Sequence, residues 1–307
     1  MKISIVGAGN VGTQTAIRLA QDSLGEIVLL DIAKGLAQGR VLDLEDCRQI
    51  LKNNFNVKGS QDPQDIAGSD IVVLTAGLTR KPGMTREELL HKNALIVKET
   101  SLNIKKFAAD SVLIVVSNPL DLMTRLAIEV TGFKFSRVFG MGISLDGSRF
   151  ANLISKELNI SPVDIEPCVI ASHGEGMMPL ARFTKVKGVA LDEILDDKKI
   201  SELIKRTYDR GLEIITFLGS GSAYIAPSAA AAELVKAVAK DEKRIIGVCA
   251  YLNGEYGAKE VCLGVPCRLG KNGIEDIVEL SLRPQEKENF LKVSARLKEQ
   301  YKDIAKP

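Results

Sequence analysis

The sequence has 307 residues, enough for two domains of ordinary size, and 45% of them are hydrophobic. Its 41 Lys and Arg against 39 Asp and Glu leave a formal charge of +2, which argues against a nucleic-acid-binding or membrane-surface protein. The N-terminus shows neither a basic nor an apolar leader, and no apolar run reaches ~18 residues, so we expect a soluble cytoplasmic protein without a membrane span.

The chain begins with a predicted strand, a glycine turn and a helix. Lys2 to Val6 is a short apolar run, and helical periodicity extends from Thr13 to Asp22. Between them lie three glycines at G-x-G-x-x-G spacing: Gly7, Gly9 and Gly12. The first permits a tight turn, the second lets a pyrophosphate approach the backbone, and the third lets the helix pack close to the strand. This pattern predicts a dinucleotide site, although glycine turns also occur in other βαβ units.

The second predicted strand, Ile27 to Leu30, ends in Asp31. An acidic residue at this distance from the glycine turn is placed to accept hydrogen bonds from the adenosine ribose. Its charge would repel a 2′-phosphate, and no Arg follows it directly. The predicted cofactor is therefore NAD rather than NADP.

Strands and helices continue to alternate up to about residue 141. The further predicted strands are Phe55 to Lys58, Asp70 to Thr75, Val112 to Ser117 and Arg137 to Met141. The predicted helices are Lys34 to Cys47, Arg86 to Ala108, opened by a Thr85-x-x-Glu88 capping box, and a helix that follows Asn118-Pro119 and continues to Val130. This alternation predicts an α/β fold, with a doubly wound parallel (Rossmann) sheet as a dinucleotide-binding domain over residues 1–141.

After Gly142 the predicted elements become mixed α+β, which we interpret as a catalytic, substrate-binding domain over residues 142–307. The predicted elements are the helix Leu145 to Leu158, β-rich segments at Ile165 to Ala171 and Leu180 to Val186, helices near Ile200 to Phe217 and Ala223 to Ala239, strands between Arg244 and Leu269, and a charged helix from Gln285 to Asp303.

Three residues of this second half suggest acid–base chemistry. His173 follows an apolar strand and is flanked by glycines, so it can exchange a proton near neutral pH, whereas His91 has the setting of a surface residue. Asp146 is a candidate to orient His173, and Arg149, three residues later, to hold a substrate carboxylate. Taken singly, Asp146 could be a helix cap and Arg149 part of a surface ion pair. The five cysteines form no C-x-x-C pair and are not spaced with the histidines as ligands, so no metal site is predicted.

Six motifs in this order resemble the lactate and malate dehydrogenase family, most closely its lactate-dehydrogenase-like branch of malate dehydrogenases. They are GAGNVG with Asp31, the loop TRKPGMTR, VSNPLD, which includes Ser117 to Asp121, LDGSRF at Leu145 to Phe150, SHGE at Ser172 to Glu175 and GSAYIAP at Gly221 to Pro227. The resemblance covers essentially the whole chain, which makes it more specific than any single motif.

The resemblance implies a role for each matching residue. His173 would be the proton donor and acceptor, Asp146 its partner, and Arg149 the clamp on the C1 carboxylate. Asn118 would bind the substrate oxygen, and Arg86 would polarise the carbonyl. Ser222 falls at a substrate-pocket position. We assign cofactor binding to Gly7, Gly9, Asn10, Val11, Gly12, Asp31, Thr75, Ala76, Gly77, Asn93, Val116, Ser117 and Asn118.

Substrate choice depends on Arg80. A loop that closes over the substrate could bring Arg80 to a distal carboxylate, and the resemblance adds that malate-specific members carry arginine here and lactate-specific members glutamine. We therefore expect malate and oxaloacetate as substrates, as in the tricarboxylic acid cycle, with lactate dehydrogenase as the alternative. A non-catalytic NAD-binding protein is a more distant alternative. The resemblance also suggests a homodimer or homotetramer.

Overall fold

The first half of the chain forms a parallel sheet in the computed structural model, which describes residues 1–78 and 85–305. Its strands are β1 (Lys2–Val6), β2 (Glu26–Leu30), β3 (Asn56–Ser60), β4 (Ile71–Leu74), β5 (Val112–Val115) and β6 (Val138–Gly140). They lie in the order β3-β2-β1-β4-β5-β6, with every neighbouring pair parallel. This arrangement confirms the predicted doubly wound sheet, and its central strands β4 and β5 are buried at every position.

The helices of this half connect the parallel strands. They are α1 (Asn10–Gln21), α2 (Leu36–Leu51), α3 (Arg86–Phe107) and α4 (Leu120–Thr131). The predicted capping box is present, because the Thr85 hydroxyl accepts a hydrogen bond from the Glu88 backbone N–H and the Glu88 carboxylate accepts one from the Thr85 N–H, both at 3.0 Å. α1 begins three residues before the predicted start, because the extended backbone of Gly9 already caps it.

The second half combines helices with short and long strands. Its helices are α5 (Ile143–Leu158), α6 (Leu191–Ile194), α7 (Asp197–Leu218), α8 (Ile225–Ala239) and α9 (Pro284–Ala305). Its strands are β7 (Ile165–Glu166), β8 (Val169–Ala171), β9 (Met177–Pro179), β10 (Lys185–Val186), β11 (Val189–Ala190), β12 (Arg244–Asn253), β13 (Lys259–Gly270) and β14 (Gly273–Ile277). Short 3₁₀ turns lie at Pro63–Ile66, Phe135–Arg137, Pro162–Asp164, Ala181–Phe183 and Glu255–Gly257.

The predicted strand from Leu180 to Val186 is wrong. The carbonyl of Leu180 accepts the backbone N–H of Thr184 at 2.9 Å and its hydroxyl at 3.0 Å, so the segment closes into a turn and only its last two residues form β10. The same Thr184 hydroxyl accepts the N–H of Cys168 at 3.0 Å, a tertiary contact that strand propensity does not contain.

The long hairpin of β12 and β13 joins the two halves into one sheet. β12 pairs antiparallel with β6 through Cys249 and Gly140, and β13 pairs with β12, β8 and β14. The main apolar core is continuous along this sheet, and a smaller cluster lies where α5 packs against α7. Within the described ranges, none of the helices combines the length and the apolar character needed to cross a membrane.

Candidate active site

The glycine turn after β1 has the geometry that a bound pyrophosphate requires. Gly7 has φ +112°, and a Cβ atom added to it would lie 2.7 Å from the Thr75 hydroxyl oxygen. A Cβ added to Gly12 would lie 1.8 Å from the carbonyl oxygen of Gly7, so α1 packs against the turn only because Gly12 has no side chain. Apart from Gly9 and its neighbours in the chain, no atom of the described residues lies within 4 Å of a Cβ added to Gly9. The turn therefore leaves open space for phosphates at the N-terminus of α1.

Asp31 ends β2 and is tied to this turn. Its Oδ2 accepts the Ala8 N–H at 2.6 Å, and its Oδ1 accepts the Ala33 N–H at 2.9 Å. Each carboxylate oxygen can accept a further hydrogen bond, so Asp31 remains able to bind ribose hydroxyls. An apolar pocket adjoins it, lined by Val6, Leu30, Ile32, Pro63, Ile66 and Ile96 among others. The open turn, the carboxylate and the apolar pocket together fit NAD.

Two residues that the sequence assigns to the cofactor, Thr75 and Ser117, form hydrogen bonds at the ends of β4 and β5. The Thr75 hydroxyl donates to the carbonyl oxygens of Val6 and Gly7 at 3.1 and 3.0 Å, and the Ser117 hydroxyl donates to Ala76 at 2.5 Å. The other assigned positions differ in exposure: Val116 is buried, Val11 and Ala76 are half-buried, and Asn10 and Gly77 are exposed.

Asn93 is buried and connects two loops of the site. Its Oδ1 accepts the Leu78 N–H at 2.7 Å, while its Nδ2 donates to the carbonyls of Leu78 and Asn118 at 3.2 and 2.7 Å. Asn118 itself is exposed at the end of β5. The sequence assigns Asn93 only to cofactor binding and does not predict this connection, because Leu78 and Asn118 lie 15 and 25 positions away from Asn93.

His173 and Asp146 lie 27 positions apart and meet through a hydrogen bond of 2.7 Å between Nδ1 and Oδ2. Asp146 lies in the first turn of α5 and is fully buried. This contact leaves Nε2 of His173 as the nitrogen that can exchange a proton with a substrate. Burial lowers the pKa of His173, but the charge and the hydrogen bond of Asp146 raise it more, so the pKa lies above its ordinary value.

Arg149 lies one helical turn after Asp146 and shares its carboxylate. Its Nη1 donates to Asp146 Oδ1 at 3.2 Å. A guanidinium has five N–H donors, so the others remain able to bind a substrate carboxylate. One buried carboxylate thus orders both the imidazole and the guanidinium.

The remaining predicted residues lie on separate elements. Ser222 is half-buried in the loop between α7 and α8, and Arg86 is the first residue of α3. Arg80 belongs to residues 79–84, which lie outside the described residues. His91 is an exposed residue of α3, as predicted. Among the residues that the structure does describe, no group of three His, Cys, Asp or Glu side chains could hold a metal ion.

Asp121 was not predicted as a site residue, although it belongs to the VSNPLD motif. It is buried in the first turn of α4, and its Oδ2 accepts hydrogen bonds from the Ser172 hydroxyl at 2.6 Å and the His173 N–H at 3.1 Å. The signal in the sequence is an acidic residue in the first turn of a helix, which is equally typical of an interaction with the helix dipole.

Comparison with known proteins covers the whole chain. Residues 1–140 match the NAD binding domain of lactate/malate dehydrogenases, and residues 143–306 match their alpha/beta C-terminal domain. The malate dehydrogenase of Methanosarcina acetivorans is 47% identical over 297 residues, 97% of each chain, and that of Pelodictyon phaeoclathratiforme is 44% identical over 306 residues, 99% of each.

Two solved structures from Cryptosporidium parvum share the fold. Its malate dehydrogenase is 36% identical with a TM-score of 0.95, covering 99% of this chain and 98% of its own. Its lactate dehydrogenase, complexed with lactic acid and NAD, is 34% identical with a TM-score of 0.95, covering 100% of this chain and 98% of its own. The family matches, the identities and the site geometry agree: this chain belongs to the lactate/malate dehydrogenase family.

Proposed function

We propose that this chain is an NAD-dependent malate dehydrogenase, which interconverts malate and oxaloacetate. The observation that carries the proposal is the fully buried Asp146 carboxylate, which bonds both His173 and Arg149. This group adjoins the end of β6, since a Cβ added to Gly142 would lie 3.2 Å from the Cβ of His173. A protein that only binds NAD has no need of a proton acceptor beside a carboxylate-binding arginine, which disfavours the non-catalytic alternative.

The proton step uses His173 and Asp146. In malate oxidation, Nε2 of His173 takes the hydroxyl proton as the C2 carbon loses a hydride. NAD, when bound, supplies the acceptor for that hydride. The charge of Asp146 stabilises the imidazolium, and its hydrogen bond keeps Nδ1 protonated so that Nε2 is the basic nitrogen. In the reverse direction His173 returns the proton to the carbonyl oxygen.

Four residues orient the substrate: Arg149, on the same helix as Asp146, and Asn118, Arg86 and Ser222 on three other segments. Arg149 holds the C1 carboxylate through its free N–H groups, and the amide of Asn118 donates to the substrate oxygen. Arg86 polarises the carbonyl, and Ser222 lines the pocket. Asn118 is supported in this role by Asn93, which fixes the carbonyl of Asn118 at 2.7 Å and leaves its side chain exposed.

The choice of malate over lactate rests on Arg80. Malate carries a second carboxylate where lactate carries a methyl group, and a guanidinium enclosed with that methyl would be left without a partner. The lactate alternative is supported by the similarity to a lactate dehydrogenase structure. The two functions differ in the side chain that must face the distal end of the substrate, since malate needs a positive charge there and lactate does not.

The test is the loss of NADH absorbance when oxaloacetate is added to the purified protein. We expect turnover with oxaloacetate far above that with pyruvate, and His173→Asn should lose about 10²- to 10⁴-fold in kcat while still binding NADH. If the parent protein prefers pyruvate, the assigned function changes from malate dehydrogenase to lactate dehydrogenase. No turnover with either acid would leave only the NAD-binding alternative.

The proposal includes a homodimer or homotetramer of two-domain subunits, with domains at residues 1–141 and 142–307. The domain division is supported by the two family matches, which meet between residues 140 and 143. Oligomerisation is supported by apolar side chains that α2 and α7 expose to solvent: Leu42, Ile50, Leu51, Leu212, Ile215, Phe217 and Leu218. Size-exclusion chromatography with light scattering tests the assembly, and a monomer at micromolar concentration would contradict it.

The proposal further places the protein in the cytoplasm, with small molecules as its ligands. The five cysteines are free thiols, which supports a reducing compartment. The near-neutral formal charge of +2 supports the absence of a nucleic-acid or membrane-surface partner. A role in the tricarboxylic acid cycle stays a prediction.

A further inference from the structure

The turn that carries His173 has a strained backbone. Ala171, the last residue of β8, has φ +73° although it is not a glycine, and it is completely buried. A left-handed conformation is unfavourable for an L-residue, because its Cβ comes too close to the following carbonyl oxygen. The neighbouring strand leaves room for it, since a Cβ added to Gly264 would lie 2.6 Å from the Ala171 carbonyl oxygen. A conformation of this kind persists only where its surroundings stabilise it.

The stabilising group is the carboxylate of Asp121. The turn directs the Ser172 hydroxyl and the His173 N–H toward α4, where both donate to Asp121 Oδ2 at 2.6 and 3.1 Å. Its other oxygen, Oδ1, is buried without a hydrogen-bond partner among the described residues, and the Cys249 thiol is a neighbour that favours the charged form. Burial raises the pKa of Asp121, so this carboxylate is costly to keep in the fold.

We propose that Asp121 is a positioning residue for proton transfer: it fixes the backbone of the Ser172-His173 turn, while Asp146 fixes the imidazole ring. Asp121 also lies three residues after Asn118, at the start of α4. The segment that presents Asn118 to the substrate oxygen therefore also holds the backbone of the proton acceptor. Because misplacing a reacting group by about 1 Å can reduce a rate by about 10²-fold, fixing the backbone of His173 should affect kcat. The inference rests on the proposed function and names a residue that acts through His173.

Three substitutions separate positioning from a purely structural role. Asp121→Ala removes the acceptor of both hydrogen bonds, and we expect kcat per folded site to fall about 10- to 100-fold with the affinity for NADH unchanged. Asp121→Asn keeps an oxygen that can accept both bonds and should recover most of this loss. Ser172→Ala removes one bond and should lower kcat by a smaller factor. The matched control is Thr131→Val, which removes the hydroxyl that donates to Ala127 at 2.6 Å in the same helix. It should leave kcat unchanged.

A second measurement is independent of catalysis. The chain has two histidines, so labelling the Cε1 carbon of histidine gives two NMR signals, and the signal of exposed His91 serves as the internal reference. Asp121→Ala and Ser172→Ala should shift or broaden the His173 signal and leave that of His91 unchanged. Because the charge of Asp121 raises the pKa of His173, Asp121→Asn should move the titration of His173 to lower pH. The other charged groups that influence His173 are Asp146 and Arg149, both retained in every variant.

The outcomes distinguish the two proposals. A parent protein inactive with oxaloacetate and pyruvate would overturn the proposed function, while the His173 signal would still test the positioning role. If Asp121→Ala keeps the parental kcat per folded site, Asp121 has no positioning role. The same conclusion follows if Asp121→Asn loses as much kcat as Asp121→Ala. If Asp121→Ala does not fold, Ser172→Ala decides: a parental kcat together with an unchanged His173 signal would refute the inference.

Discussion

Replacing Asp146 by Asn tests the central contact of the site. The carboxylate is fully buried and lies 2.7 Å from His173 Nδ1 and 3.2 Å from Arg149 Nη1, so the substitution breaks a buried charge pair without changing the side-chain volume. Breaking such a pair costs about 3 to 5 kcal/mol of folding stability, so rates must be compared per folded site. The proton transfer that this carboxylate orients contributes about 10²- to 10⁴-fold to catalysis, so kcat should fall toward that scale. The loss arises because the amide can donate to Nδ1, which leaves the proton on Nε2, where a base is needed.

The pH profile gives a second readout of the same substitution. Because Asp146 raises the pKa of His173, oxaloacetate reduction, which needs the imidazolium, should persist in the parent above pH 6.5. In Asp146→Asn the basic limb of kcat/KM should move to lower pH. A change in overall stability alone would leave this limb in place.

The control is Asp164→Asn, because Asp164 forms an ion pair of the same length, 2.7 Å, with Lys187 at the surface. Exposed pairs contribute about 0 to 1 kcal/mol, so kcat should remain within twofold or so of the parental value. Stopped-flow measurements of malate oxidation and of oxaloacetate reduction, both followed by NADH absorbance and normalised to folded protein, provide the assay. A folded Asp146→Asn protein with parental kcat and pH profile would refute the proton-transfer assignment.

The other predictions concern cofactor, substrate and stability. Asp31→Ser should narrow the preference for NADH over NADPH and raise the KM for NADH, since Asp31 also holds the Ala8 N–H; equal use of both cofactors by the parent would refute the assignment. Arg80→Gln should lower the ratio of kcat/KM for oxaloacetate over pyruvate at least about tenfold, and an unchanged ratio would remove Arg80 from specificity. Gly12→Ala should abolish NADH binding in a fluorescence titration, because the added Cβ would lie 1.8 Å from the Gly7 oxygen; parental affinity would contradict this geometry. Since the folded pKa of His173 is raised, its contribution to stability should be fully present below pH 6.5 and be lost as the pH rises through the folded value. Denaturant unfolding of the parent and His173→Asn across this range measures the difference, and parallel curves would contradict it.

Local sequence patterns predicted most of the N-terminal half. Apolar runs such as Ile71–Leu74 and Val112–Val115 form strands buried on both faces, because a parallel sheet covered by helices leaves no exposed face. The Thr85 and Glu88 capping box involves residues three positions apart, so its hydrogen bonds are encoded in adjacent sequence. The prediction of a β-rich segment from Leu180 to Val186 failed because tertiary contacts outweighed strand propensity. The Thr184 hydroxyl forms hydrogen bonds with both Leu180 and Cys168, and the segment before it forms a turn.

Glycine spacing, helix caps and apolar periodicity act within a few residues, so they reveal which chemical groups this protein holds and which elements carry them. Which of these groups come into contact depends on long-range packing. His173 and Asp146 come within 2.7 Å because the ends of β6 and β8 are brought together through β12 and β13, an arrangement set by antiparallel pairing between distant segments. Asp121 and Asn93 acquired their contacts in the same way. Their partners lie 51 and 25 positions away at Ser172 and Asn118, and a buried polar group must take its hydrogen bonds from whatever the folded chain places beside it.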